Sequence, residues 1–328
     1  MSYSIISKYR LQLMGIATLW IALFHSPLWF PVNFFGWFKL IGQGGTDIFV
    51  FLSSFGLYYA YKKNSNIKHF YKKRFIRILP FVLPIIFLRC RYLNFNLEDT
   101  LLALSTLRFW IKPYDRGLWF ASAILVFYLI TPLYLKYFDG KEKRMTLFAI
   151  GISFLIGFST FNTDYLVFTS RLPVFFLGFL IGYLSYNDVK ISKKMIVLNI
   201  MIMMVGFIIL HMSFRFGPLL TAWGLYWYPF ILIVLPFCFI NAFIIEKLKK
   251  YNVNWLISFL SGFGSISLEF YLLQELFVKM FSFIRFQPPF DYYQILYSIL
   301  VIHITYQLAK LYKTVMNKII NLFPIEIN

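Results

Sequence analysis

Acidic side chains are scarce in this sequence. Its 328 residues hold 13 Asp and Glu against 32 Lys and Arg, and charged residues of both signs make up only 14%. A soluble domain carries about a quarter, so the chain is not an ordinary soluble protein. Cysteine is almost absent. Cys90 and Cys238 both sit in apolar surroundings, which excludes a disulfide framework. Missing too are a P-loop, a G-x-S-x-G elbow, an H-E-x-x-H helix and any Cys/His pair at metal-ligand spacing, so no metal cofactor is expected. No repeat of 20–50 residues recurs. The N-terminal MSYSIISKYR leads into an apolar run with no small-residue cleavage site, which predicts a retained first helix rather than a signal peptide.

Apolar side chains fill the space. Hydrophobic residues make up 60% of the chain and aromatics 22%, with a mean hydropathy of +0.70. They come in long runs rather than in alternation, the pattern of helices that cross a membrane. An all-α, polytopic integral membrane protein is expected, forming a single domain over residues 1–328. Ten spans are predicted, at about 11–30, 46–62, 77–93, 118–136, 145–161, 166–185, 195–213, 223–245, 262–283 and 293–312. The mixed stretch 94–116, with Glu98, Asp99, Arg108, Lys112 and Asp115, reads as an extramembrane loop containing a short interfacial helix around Leu97–Trp110.

The net charge of +19 would suit a nucleic-acid partner, but the cations are sorted by loop. With the N-terminus inside, the inner segments hold 22 Lys and Arg and the outer ones 8, leaving Arg171 and Lys279 within helices. That asymmetry fits the positive-inside rule, puts both termini in the cytoplasm and makes anionic lipid the partner of most basic loops. Trp29, Trp37, Trp119, Trp223, Trp227 and Trp255 suit aromatic belts.

Charge inside a membrane is costly and calls for a reason. His25, Asp47, Arg171, His211, Glu269, Glu275, Lys279 and His303 fall within or at the rims of spans. By depth, His25, Asp47, Arg171 and Glu269 are expected to converge in one buried polar cavity. Arg171 alternatively pairs with Asp47 or Glu269 simply to hold helices together. His25 titrates near neutrality and suits a general base. His211 and His303 read as structural or interfacial.

The stretch Gly42–Pro80 joins these features. It opens on a Gly-rich turn before Asp47 and ends in the basic run Lys72-Lys73-Arg74-Phe75-Ile76-Arg77. Arg74 and Arg77 lie three apart at the expected start of a helix, so they share a face and offer a phosphate-binding fork to which the helix dipole adds.

Four segments carry a resemblance to the membrane acyltransferase-3 family. They are Phe24-His25, Gly44-Gly45-Thr46-Asp47-Ile48-Phe49-Val50-Phe51-Leu52-Ser53-Ser54-Phe55, Arg74-Phe75-Ile76-Arg77-Ile78-Leu79-Pro80, and Leu118-Trp119-Phe120 with Phe127-Tyr128-Leu129-Ile130-Thr131-Pro132. Later echoes are Arg171-Leu172-Pro173-Val174-Phe175-Phe176-Leu177-Gly178 and Ser267-Leu268-Glu269-Phe270-Tyr271-Leu272. The resemblance implies an acyl-CoA donor, acetyl-CoA first among them, and a glycan or lipid-linked glycan acceptor. It implies catalytic roles for His25, Asp47 and Glu269, and a donor site at Lys73, Arg74 and Arg77. Trp119, Tyr128, Arg171 and Gln274 are the expected substrate pocket. The expected activity is O-acetylation of a bacterial surface polysaccharide at the cytoplasmic membrane.

The chain departs from the family pattern at Met14, where an Arg is common, at Ile124-Leu125, in place of an acidic pair, and at Gln274, in place of a His. Ser54 replaces a common Gly. Two other readings use the same features. One is a carrier for a lipid-linked sugar, against which the lack of repeat symmetry counts. The other is a family member without catalysis.

Overall fold

A computed structural model of the chain describes residues 2–26, 28, 34–113, 119–217, 224–280 and 292–322. Trp29, Leu118, Asp115 and Trp223, and the side chain of Lys279, lie outside the described residues. The described residues are helical throughout, with one isolated bridge between Ser2 and Lys190. In chain order the helices are α1 (Ser4–Lys8), α2 (Arg10–His25), α3 (Phe34–Leu40), α4 (Gly44–Lys63), α5 (Ile67–Tyr92), α6 (Leu97–Leu104), α7 (Arg108–Ile111) and α8 (Trp119–Lys136). There follow α9 (Glu142–Ser159), α10 (Leu166–Thr169), α11 (Leu172–Tyr186), α12 (Lys193–Phe216), α13 (Phe230–Lys250), α14 (Asn254–Ser265), α15 (Ser267–Met280) and α16 (Tyr292–Leu322).

Six stretches among the described residues are long and apolar enough to cross a membrane: Phe35–Lys63, Trp119–Lys136, Leu166–Tyr186, Lys193–Arg215, Phe230–Lys250 and Tyr293–Leu322. A seventh arises if α14 and α15, bent by 68° at their junction, form one broken span. The remaining predicted spans are helical but shorter or more charged. α2 has 16 residues, α5 carries a basic first half, and α9 opens on Glu142-Lys143-Arg144. The protein is a multi-pass helical membrane protein. Exposed apolar side chains are dense on α9, with Leu147, Leu155 and Phe158, on α12, with Leu198, Met201, Met204 and Ile208, and on α16, with Leu296, Ile299, Leu300 and Leu311. In hydrocarbon such a surface needs no polar rim.

α4 is buried on nearly every side and joins two apolar clusters. Val50, Leu57 and Tyr58 pack into one with Phe127, Phe175 and Phe179. Ile48, Phe51, Leu52 and Phe55 pack into the other with Trp20, Phe230 and Val234. The expected Gly-rich turn before Asp47 is helix instead. Ile41–Gln43 is a 3₁₀ turn that runs directly into α4, and Gly44 has helical angles. These glycines are there for contact: a Cβ on Gly44 would lie 1.9 Å from the Phe230 ring, and one on Gly45 2.6 Å from the Ala17 carbonyl. Ser54 seats its hydroxyl on Gly178 of α11, where a Cβ would approach it to 1.9 Å. α4 and α11 keep their close approach because the small residue lies on α11.

α2 and α14 cross at two facing glycines. A Cβ on Gly15 would lie 2.0 Å from the Leu260 carbonyl oxygen, and one on Gly264 1.9 Å from that of Leu11. Small residues let membrane helices approach to backbone contact. Gly15→Ala is expected to force this pair apart at a cost of about 1–3 kcal/mol, read as a lower unfolding midpoint in detergent.

Three local expectations are settled by caps and prolines. The interfacial helix at Leu97–Trp110 is two short helices, α6 and α7, tied by Arg108 and Lys112 to Asp99, with Lys112 Nζ 2.6 Å from Asp99 Oδ1. Lys112 and then Arg108 hold the Asp99 carboxyl below the ordinary carboxylate range, so the tie is charged at neutral pH. α5 starts at Ile67, where Asn66 accepts a hydrogen bond from His69 N. Arg74 and Arg77 therefore lie two to three turns inside a helix and not at its N-terminus, and the dipole adds nothing there. α2 stops at His25 because Ser26 is extended, with φ −64° and ψ 149°. Ser26 precedes Pro27, and a residue before proline is driven from the helical region. His25 is thus the last residue of its helix, where the predicted span ran on to residue 30.

Candidate active site

A cavity of about 790 Å³ opens between α2, α4, α5, α8, α15 and α16. Its polar lining includes Arg10, Ser53, Arg77, Tyr128, Glu269 and Lys313. Arg77 projects into it from α5. One turn earlier, Arg74 lies 5.5 Å from the centroid of the Phe70 ring and 6.0 Å from that of Tyr128. Both guanidiniums act electrostatically on Tyr128, in keeping with the one helix face that their i, i+3 spacing gives them. Lys73 is exposed on the same helix.

The break between α14 and α15 shapes the cavity's side. α14 ends at Ser265, and Lys313 from α16 donates to its free carbonyl. α15 begins at Ser267, so Glu269 sits in its first turn, 5% exposed and within electrostatic reach of Lys313 and Arg77. Here the expected four-residue cluster comes apart. A continuous helix would carry Glu269 to mid-membrane, but the 68° bend starts a new helix beside the cavity. Met14 and Ile124, two of the departures from the family pattern, line the same cavity and make part of its wall apolar.

Beyond the cavity, α15 climbs toward the end of α2. Tyr271 lines the cavity, and its buried hydroxyl has no hydrogen-bond partner. One turn on, Gln274 Nε2 lies 3.5 Å from the Ile21 carbonyl and its buried Oε1 is likewise unpartnered. Glu275 then reaches His25, with Oε1 3.6 Å from Nε2. The His25 side chain is 24% exposed and that of Glu275 15%, so this pair is accessible in a way the next is not. From Arg10 to His25 the rise along α2 is about 22 Å.

Asp47 and Arg171 form a separate, sealed pair. Arg171 Nη2 lies 3.5 Å from Asp47 Oδ2, with side chains 2% and 0% exposed. Nη1 donates to the Val167 carbonyl at 2.9 Å and to Ser170 Oγ at 3.1 Å. The guanidinium carbon lies 5.4 Å from the centroid of the Trp119 ring and 5.8 Å from that of Trp227. Trp227 is fixed in turn, since its Nε1 donates to Gln43 Oε1 at 3.0 Å. Of the two partners open to Arg171 in the sequence, the structure pairs it with Asp47. Trp119 is placed here as well as beside Phe120 at the cavity.

The expected site residues therefore fall into three groups. Arg77, Tyr128 and Glu269 line the cavity, with Arg74 beside Tyr128 and Lys73 exposed on the same helix. His25 and Gln274 lie at the junction of α2 and α15. Asp47, Arg171 and Trp119 form the sealed network. Arg10, Lys313 and Gln43 had drawn no role from the sequence, Trp227 only that of an aromatic belt and Glu275 only that of an interior charge. The signal for Glu275 was its place beside Gln274 on an apolar helix. For Arg10 and Lys313 there was none, because basic residues at helix ends are common.

The chain is thus a multi-pass helical protein with a cation-lined cavity and, apart from it, a histidine–carboxylate pair. The sequence matches the family described as "Acyltransferase domain", Acyl_transf_3, over residues 13–309. The chain belongs to this acyltransferase-3 family and is a membrane acyltransferase. No curated protein and no solved structure matched it.

Proposed function

We propose that the protein moves an acyl group, most simply acetyl, from cytoplasmic acyl-CoA to a hydroxyl of a surface polysaccharide or lipid-linked glycan. It does so in a bacterial cytoplasmic membrane, through ten spans with both termini inside. The observation that carries this reading is the alignment along α2 and α15. The guanidiniums of the cavity lie at one end of α2 and the His25–Glu275 pair at the other. The extended pantetheine arm of CoA suits that separation, with its phosphates among cations and its thioester toward His25.

In this scheme Glu275 holds His25 through Nε2, leaving Nδ1 to accept the proton of the acceptor hydroxyl. The hydroxyl oxygen attacks the thioester carbonyl and the carbon–sulfur bond breaks. The leaving thiolate takes the proton from His25, giving an ester and free CoA. Glu269 sits at the donor mouth between Arg77 and Lys313 and sets the charge there. Asp47 acts through Arg171, which it holds beside Trp119 at the wall. Gln274 and Tyr128 line the way between the two ends.

Labelled acetyl-CoA and the purified protein in detergent test the reading. Saturable binding is expected, weakened about tenfold or more by Arg74→Ala with Arg77→Ala, since a guanidinium–phosphate contact is a charge-assisted bond. A sugar carrier has no use for this ligand, so an intact protein that fails to bind acetyl-CoA would favour the carrier.

A further inference from the structure

Two guanidiniums line the cavity and a third lies beside its Tyr128 wall. Arg77 projects into it, Arg74 lies over the Tyr128 ring, and Arg10 enters from the first residue of α2. All three act electrostatically on Tyr128, and Arg10 feels both of the others. Among the described residues none of the three forms an ion pair. Glu269 in the same cavity is within electrostatic reach of Arg77 but not of Arg10 or Arg74, and like charges held together in a partly enclosed cavity repel until an added anion joins them.

Arg10 is placed there by the fold. Its Nε donates to the Leu52 carbonyl at 3.0 Å. Its guanidinium then rests on the bare backbone of Gly56, where a Cβ would lie 2.7 Å from both Cζ and Nη2. One nitrogen is used as an anchor and the two Nη groups remain for a ligand. A guanidinium that served only to tie α2 to α4 would not need a glycine seat beside two other arginines.

Resting on the donor reading above, we propose that Arg10 is a donor-phosphate ligand, completing with Arg74 and Arg77 a three-arginine clamp for the pyrophosphate of the nucleotide donor. Gly56 is its seat. Three converging guanidiniums suit vicinal phosphates better than a single carboxylate.

The test uses the full-length protein in detergent, coenzyme A as titrant, and calorimetry with thermal unfolding as readouts. Arg10→Ala is expected to weaken coenzyme A binding about tenfold or more while leaving the unliganded melting temperature near that of the parent. Gly56→Ala should weaken binding by displacing the guanidinium. Met14 lines the same cavity one turn along α2, so Arg10→Ala combined with Met14→Arg should regain much of the affinity, since residues four apart share a helix face. Arg10→Ala that binds coenzyme A like the parent while Arg77→Ala does not would overturn the Arg10 assignment and leave the donor reading standing. A lowered unliganded melting temperature with unchanged affinity would also overturn it, by showing a purely structural tie. Failure of the parent protein itself to bind coenzyme A would remove both.

Discussion

His25→Ala is expected to lower acyl transfer by about two to four orders of magnitude, the usual contribution of a positioned general base, with coenzyme A binding unchanged. The separation of the two effects follows from geometry. His25 ends α2 about 22 Å along the helix from Arg10, and the cavity that holds the cations does not include it. Its ring packs edge-on to Phe24 at 4.9 Å, and its Nε2 faces Glu275. Glu275→Gln keeps the shape and loses the charge that stabilises an imidazolium. About a tenfold fall in turnover with little change in donor affinity is expected, as for an orienting carboxylate whose role is partly preserved by a neutral hydrogen-bonding group. The measurement is thiol release from acetyl-CoA in membranes holding equal amounts of each variant, beside the acetyl content of the cell-surface glycan. Unchanged release with His25→Ala would remove His25 from the chemistry. If Glu275→Ala lowered turnover no further than Glu275→Gln, the carboxylate would be acting through charge alone.

How much of this was legible without coordinates depended on which force decides each feature. Membrane helices were legible because long apolar runs suffice to define them. So was the shared face of Arg74 and Arg77, which needs only helical spacing. The placement of Glu269 was not, because it turns on a 68° break at Ser265–Ser267 that no proline or glycine marks at the break itself. The stop of α2 at His25 was readable after the fact, since Pro27 follows Ser26. The sequence reading instead carried the apolar run through to residue 30. Partner choice was the least legible. Asp47, Glu269 and Glu275 are all carboxylates on apolar helices, and only tertiary packing decides that Arg171 meets the first and His25 the last. Glycine was misread for a general reason. A Gly pair before a helix has the same sequence whether it makes a turn or admits a neighbouring ring, and here Phe230 occupies the space.

Asp47→Ala is expected to cost about 3–5 kcal/mol, the price of leaving a buried guanidinium without its counter-charge. Arg171 is buried, with its Nη1 on Val167 and Ser170 and its guanidinium over the rings of Trp119 and Trp227. Arg171→Ala should cost a similar amount, since it strands a carboxylate whose two oxygens already have no hydrogen-bond partner. Both single variants should therefore show low yield in membranes and a lowered unfolding midpoint in detergent. The informative variant is the double one, Asp47→Leu with Arg171→Met. Replacing a buried ion pair by apolar groups of similar volume is often neutral or stabilising, so the fold should recover. Activity then decides what the pair is for. Recovery of fold and turnover together would make Asp47 and Arg171 a helix tie between α4 and the start of α11. Recovery of fold alone would show that the charges act on the reaction. Trp227 links the pair to Gln43 and so to the 3₁₀ turn that leads into α4. The expected result is therefore a folded double variant with reduced turnover and unchanged coenzyme A affinity, because the network contacts the wall near Trp119 and not the three arginines.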